Sequence, residues 1–262
     1  MQIYLEYLPS LVVAMARIYP VAILVPAFCF QHIRGRFRNV IVMVMALIPT
    51  PGIHAAMSGQ DYSVLMLIGL VLKEAALGFL LGTLLAMPFW MFESVGALLD
   101  NQRGALAGGQ LNPSLGPDAT PIGHLFKQLV IYLLIVMLGL SVLTQVIWDS
   151  YLIWPATAWL PLPAVNGFSV FLGVLGDTFT YMMLYAAPFI AVLLFLEFGF
   201  AVLGLYSPQL QVSTLATPVK CLAGLVVLLL YFPLLQDLIV TRMAQLADLK
   251  HSIGLMFQGV AP

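Results

Sequence analysis

Charge is scarce along this chain, and that scarcity decides its solvent. Ten Lys and Arg and eleven Asp and Glu make up only 8% of the 262 residues, while 62% of the side chains are hydrophobic. A water-soluble domain carries about 25% charged residues. A chain this poor in charge cannot cover a surface facing water, so it is expected to be an integral membrane protein or to sit inside a hydrophobic assembly. Six apolar stretches, at about 8–30, 40–57, 64–92, 125–148, 178–206 and 219–240, lie near the roughly 20 residues needed to cross a bilayer. Nearly every stretch carries proline: Pro20 and Pro26, Pro49 and Pro51, Pro88, Pro188, Pro233. Broken helices survive at membrane depth only where protein or a water-filled cavity satisfies the freed backbone. The expected fold is all-α, a single membrane domain over 1–262 with about six long, Pro-kinked hydrophobic helices.

The two halves of the chain are separated by Glu93 to Lys127. This stretch holds Glu93, Asp100, Arg103, Asp118 and Lys127, together with six glycines and three prolines. Its first part continues a helix, and there Asp100 and Arg103 fall three residues apart, on one face. From Gly104 the glycines, with Pro113, Pro117 and Pro121, oppose a continuous helix. The result is a central polar Gly/Pro loop over 104–123. A connector of this length without regular structure is usually functional or disordered, and a solvated linker is the plainer alternative.

Sidedness is less simple. Arg34, Arg36 and Arg38 form the strongest positive cluster, which the positive-inside rule places in the cytoplasm, with the N-terminus outside. Alternation over six crossings puts Lys220 inside but leaves Arg242 and Lys250 outside, against the rule. Either one stretch does not cross or partners arrange the helices. The connector 151–176, with Trp154, Trp159, Pro155, Pro161 and Pro163, reads as an aromatic anchor at an interface. The start of the chain has Glu6 and no Lys or Arg ahead of the first apolar run, unlike a cleaved signal peptide.

Arg17, Lys73, Glu74 and Glu197 are ionisable side chains inside apolar stretches. Groups at that depth face a partner or a cavity. They suit a proton or ion path, as in a small-solute or ion secondary transporter, or pairing between helices or subunits. Pairing is preferred because no histidine accompanies them. Glu74, Gly78, Gly82 and Ala86 recur every four residues, and small residues at that spacing let another helix approach. Catalytic signatures such as HExxH, GxSxG and GxxxxGK[ST] are missing from the chain. Cys29 and Cys221 lie in apolar runs and read as core residues. No catalytic residue, metal site or cofactor is expected. The net charge of −1 opposes a nucleic-acid role.

The run Pro88-Phe89-Trp90, then Gly96, then Asp100-Asn101-Gln102-Arg103-Gly104-Ala105, resembles the signature of the type III secretion export-gate family. That family comprises the injectisome SctT/SpaR proteins and flagellar FliR. Arg17 with Pro20 and Pro26, Arg34 to Asn39, Lys73-Glu74 with Gly78, and Ser207 to Lys220 are similar in order and spacing. The DNQRGA form is closer to the injectisome members. The resemblance implies a multi-pass protein of the bacterial inner membrane, built of helical hairpins within a hetero-oligomeric gate and without enzymatic activity. Implied partners are SctR-like and SctS-like subunits, a SctU-like switch protein, the lipid membrane, and unfolded secreted proteins as substrate. It also implies that the loop at 105–123 helps close the channel. That loop starts after Gly104 and holds Ala105, Gly108, Gly109, Gln110, Leu111, Asn112, Pro113 and Gly116, and the helix end Asp100 to Arg103 bears it.

Overall fold

The computed structural model describes residues 2–28, 36–58, 62–104, 120–158, 167–207 and 212–256. Among them there is no strand. The helices are α1 (Gln2–Leu24), α2 (Arg36–Ala46), α3 (Thr50–Met57), α4 (Val64–Gln102), α5 (Pro121–Leu133), α6 (Ser141–Ile153), α7 (Gly167–Tyr206), α8 (Val212–Ala244) and α9 (Leu249–Met256). Five of the described helices are long and apolar enough to span a membrane, and six spans result if α2 and α3 count as one. The all-α membrane fold expected from composition is therefore the observed one.

Two apolar stretches are subdivided. The stretch at 40–57 is α2 and α3, bent by 63° at a short break. Pro51 lies in the first turn of α3, where its missing N–H costs no helical bond. The stretch at 125–148 is α5, a π-helical turn at Leu134–Leu138, a break at Gly139 and then α6. Other helices outrun their stretches. α4 has 39 residues and α7 has 40, lengths of about 60 Å against a hydrocarbon core of about 30 Å. Such helices tilt, bend or leave the lipid.

The packing divides into two units. The first comprises Met1–Met87, Leu138–Leu175 and Ala244–Pro262, and the second Pro88–Met137 and Gly176–Met243. In the first unit the bent pair α2–α3 runs back along α1. At one end Arg38 Nη2 donates to the Tyr19 hydroxyl at 2.7 Å, and that hydroxyl donates to Asn39 Oδ1 at 3.3 Å. At the other, His54 stacks on Tyr7 with ring centroids 3.9 Å apart. Tyr7 and Tyr19 are about 18 Å apart along a helix, so α1 and α2–α3 form an antiparallel hairpin. Trp148 Nε1 of α6 donates to the Met45 carbonyl of α2 at 3.3 Å. α1 also lies against α4. A Cβ on Gly78 would collide with the Arg17 carbonyl, and one on Gly82 would lie 3.0 Å from the Val21 Cα. Those two positions were expected to admit a neighbouring helix, and the neighbour is α1 of the same chain.

The second unit packs Phe92 against Tyr185 at 5.7 Å and the edge of Phe189 against Tyr231 at 5.0 Å. Arg242, near the end of α8, donates to the Tyr185 hydroxyl at 2.9 Å and lies 3.2 Å from the Tyr181 ring centroid. Its charge is thus held by aromatic groups of α7. Much of α7 and α8 exposes large apolar side chains, among them Phe195, Leu205, Leu229 and Leu230. Such surface requires lipid or protein cover.

Gly78→Ala places a methyl group on the Arg17 carbonyl and is expected to cost about 1–3 kcal/mol. The thermal midpoint in detergent should fall, whereas Gly199→Ala, which opens onto free space, leaves it unchanged.

Candidate functional site

Two polar clusters stand out, one in each unit. In the first unit Arg17 and Glu74 are 1% and 0% exposed. Their pairing is bidentate: Arg17 Nε donates to Glu74 Oε2 at 2.5 Å and Nη2 to Oε1 at 3.0 Å. Planar forks of this kind are the strong form of the carboxylate–guanidinium contact. Arg17 Nη1 donates to Ser150 Oγ at 3.1 Å, and Nη2 donates also to the Trp154 carbonyl at 3.0 Å. The Tyr151 ring lies 4.0 Å from the guanidinium carbon. Its hydroxyl donates to the Ala14 carbonyl at 2.8 Å, and burial raises the Tyr151 pKa, which keeps that donor protonated. Lys73 Nζ completes the cluster, 2.8 Å from Glu74 Oε1 and donating at 2.7 Å to the carbonyls of both Ala156 and Ala158. An ammonium has three donors, and these three acceptors use them.

The structure thus joins Arg17, Lys73 and Glu74 within one chain. Glu197 is not with them. It pairs with Lys220 at 3.2 Å and is half exposed. Sequence reasoning missed Ser150 and the carbonyls of 154–158, since a backbone acceptor has no sequence signature. Trp154 is also corrected: it is buried beside Arg17, and not an exposed interfacial anchor. Beside Arg17 lies a cavity of about 20 Å³ walled by Leu77, Leu80, Leu81 and Leu84, room for about one water.

In the second unit the end of α4 meets the start of α5. Asp100 is 0% exposed, and Arg103 binds its Oδ1 through Nε at 2.8 Å and Nη2 at 2.5 Å. The i,i+3 spacing predicted this pair. Oδ2 has a second partner, the Ile122 N–H at 2.7 Å. Thr120 is the N-cap of α5, with its hydroxyl accepting from the Gly123 N–H at 3.2 Å and Pro121 following in the first turn. Asp100 and Thr120 therefore satisfy successive free amides at a helix start. Their negative and polar oxygens also suit its positive dipole end. The Thr-Pro pair was the available sequence signal for this cap. α4 ends at Gln102, and Gly104, with φ of +78°, turns the chain away in a conformation that glycine adopts without strain. Asn101 is exposed, and Gln102 is half-buried. Ala105, Gly108 to Pro113 and Gly116 lie outside the described residues, as do Cys29 and Arg34. Cys221, part-buried, directs its thiol to the Arg103 carbonyl at 3.7 Å.

Below this helix end the two helices touch through backbone. A Cβ on Gly96 would lie 2.7 Å from the Gly123 Cα and from the Ile122 carbonyl. Lys127 Nζ binds Glu93 Oε1 at 2.7 Å on the same crossing.

Residues 8–246 match the family described as bacterial export proteins, family 1. The chain belongs to this family. It is 30% identical over 216 residues to the Yop proteins translocation protein T of Yersinia pestis, covering 80% of each chain. It is 29% identical over 231 residues to the surface presentation of antigens protein SpaR of Salmonella typhimurium, covering 87% of this chain and 85% of the relative. The flagellar biosynthetic protein FliR of Caulobacter vibrioides is 23% identical over 215 residues, 82% of this chain and 85% of its own. The resemblance carried by the DNQRGA run and its companions is therefore to the right family. Members are components of the type III secretion export apparatus, and this chain is a multi-pass bacterial membrane protein.

Glu74→Ala leaves Arg17 and Lys73 buried without their carboxylate, a loss of about 3–5 kcal/mol. The variant should lose its folded, detergent-stable form, measured by size-exclusion recovery, while Glu197→Ala, at a half-exposed pair, changes little. The exchange of Asp100→Arg with Arg103→Asp is expected to restore little of the stability lost in either single variant. Arginine at 100 cannot accept the Ile122 N–H. A thermal midpoint returning to the parent value would show that the ion pair alone matters.

Proposed function

We propose that this chain is a non-enzymatic core subunit of a type III protein-secretion export gate in the bacterial inner membrane. It forms part of the entrance portal for unfolded secreted proteins, and the loop expected at 105–123 helps to close the channel, except that its last three residues, 121–123, are the first turn of α5 and belong to the helix. The observation that carries this reading is the fixing of both loop ends on Asp100: Arg103 precedes the loop, Ile122 closes it, and one buried carboxylate binds both. The segment between them is thereby anchored at both ends.

The loop's composition supports the reading. Small residues and the glycines at 108, 109 and 116 suit a barrier that yields to an arriving chain. Its one charge is Asp118, and low charge suits a barrier that favours no ion. Prolines at 113 and 117 limit collapse into a helix. The relatives in Yersinia and Salmonella are named for translocation and surface presentation. The uncovered apolar faces of α7 and α8 suit helices of SctR-like and SctS-like subunits, with a SctU-like switch protein as a further partner. Arg17, Lys73 and Glu74 are engaged with each other and with nearby carbonyls, which favours the gate over a small-solute transporter.

Shortening the loop between Gly108 and Gly116 tests the closure. The variant should co-purify with its SctR-like and SctS-like partners as the parent does, yet make membranes leaky to small ions. An assembled gate that stays tight after this deletion would return the loop to a plain connector.

A further inference from the structure

We infer that the α4–α5 crossing is a static frame of the gate: the two helices stay locked together while a substrate passes, and the yielding parts lie elsewhere. This rests on the reading of the chain as a gate subunit, and it concerns the two helices that bear the loop.

Three contacts fall in a row along one face of α4. Glu93 binds Lys127, Gly96 meets Gly123, and Asp100 binds the Ile122 N–H. Positions 93, 96 and 100 follow the i, i+3, i+7 spacing of a single helix face. They span about 10 Å of helix. Their partners run the opposite way along α5, so the helices cross antiparallel. A pair joined at one point can swing about it. A pair joined at three points along a line cannot swing without breaking two of them.

Breaking them is costly in each case for a different reason. The Asp100 carboxylate is wholly buried, so losing the Ile122 amide leaves its Oδ2 and a helix-start donor unsatisfied together. At Gly96 and Gly123 the backbones are in direct contact, and parting them opens a void that no side chain fills. Glu93 and Lys127 are partly exposed, so their pair adds register more than strength. On the same two helices Phe92, Leu99, Phe126 and Val130 are fully buried as well.

The test is to fix the Glu93–Lys127 end of the crossing covalently, so that any swing about the Gly96–Gly123 or Asp100–Ile122 contacts is blocked. Glu93→Cys and Lys127→Cys are introduced with Cys29→Ser and Cys221→Ser. The pair is then bridged by a short bis-methanethiosulfonate in cells carrying the whole secretion apparatus. Secretion of a natural substrate should be unchanged at any cross-linked fraction, and reductant should have no effect. Secretion that falls in proportion to the cross-linked fraction, and returns on reduction, would overturn the inference. A second measurement needs no change at the ion pair. Spin labels at the outward-facing Trp90 and Leu125 report the α4–α5 distance in the purified gate, resting and jammed by a substrate fused to a stable folded domain. One common distance is expected, and a second, longer distance in the jammed gate would overturn the frame. The gate reading fails on separate evidence, namely secretion that survives deletion of the whole chain.

Discussion

Everything in the first unit depends on how a guanidinium is kept charged away from water. Arg17 on α1 is paired in bidentate fashion with Glu74 on α4, and the pair draws in Ser150, Tyr151 and the turn after α6. Taking both charges out of water costs several kcal/mol each, and a hydrophobic pair of equal volume is often as stable. The pair therefore contributes position more than strength. Leucines slide past one another with little change in energy. A fork on a carboxylate has one register. In a surround of interchangeable apolar side chains, this contact tells α1 where along α4 to stop, and Gly78 and Gly82 bring the backbones near enough for it to form.

Much of this was legible in the sequence, and the limits are physical. Composition gave the membrane helices, because the shortage of charge leaves no soluble alternative. It did not give their ends. The break between α2 and α3 lies beside Pro49 and Pro51, where a break is expected. The π-helical turn at Leu134–Leu138 is apolar throughout and leaves only Gly139 as a mark. Charges at membrane depth announced that Arg17, Lys73 and Glu74 have partners. Their identity was hidden, since Ser150 and Trp154 are 133 and 137 residues from Arg17.

The helix end at Asp100 shows the same division. Its pairing with Arg103 is local and follows from spacing. Its bond to the Ile122 N–H is tertiary and depends on α5 crossing α4 at two glycines. A glycine in a sequence is usually read as flexibility. Gly96 and Gly123 act in the opposite sense, since absent side chains bring two helices into backbone contact. The role proposed for the loop between them comes from the family resemblance.

The grip on residues 154–158 has a consequence for how this protein tolerates change. Arg17 and Lys73 hold the carbonyls of Trp154, Ala156 and Ala158, which are groups every amino acid possesses. The turn is recognised by its backbone, so its position does not depend on the side chains it carries. Size limits Ala156, which is buried, but Ala158 is half-buried and freer to vary. A connector held in this way is able to drift in sequence, and to acquire new surface chemistry, while remaining anchored by two cations that cannot drift with it.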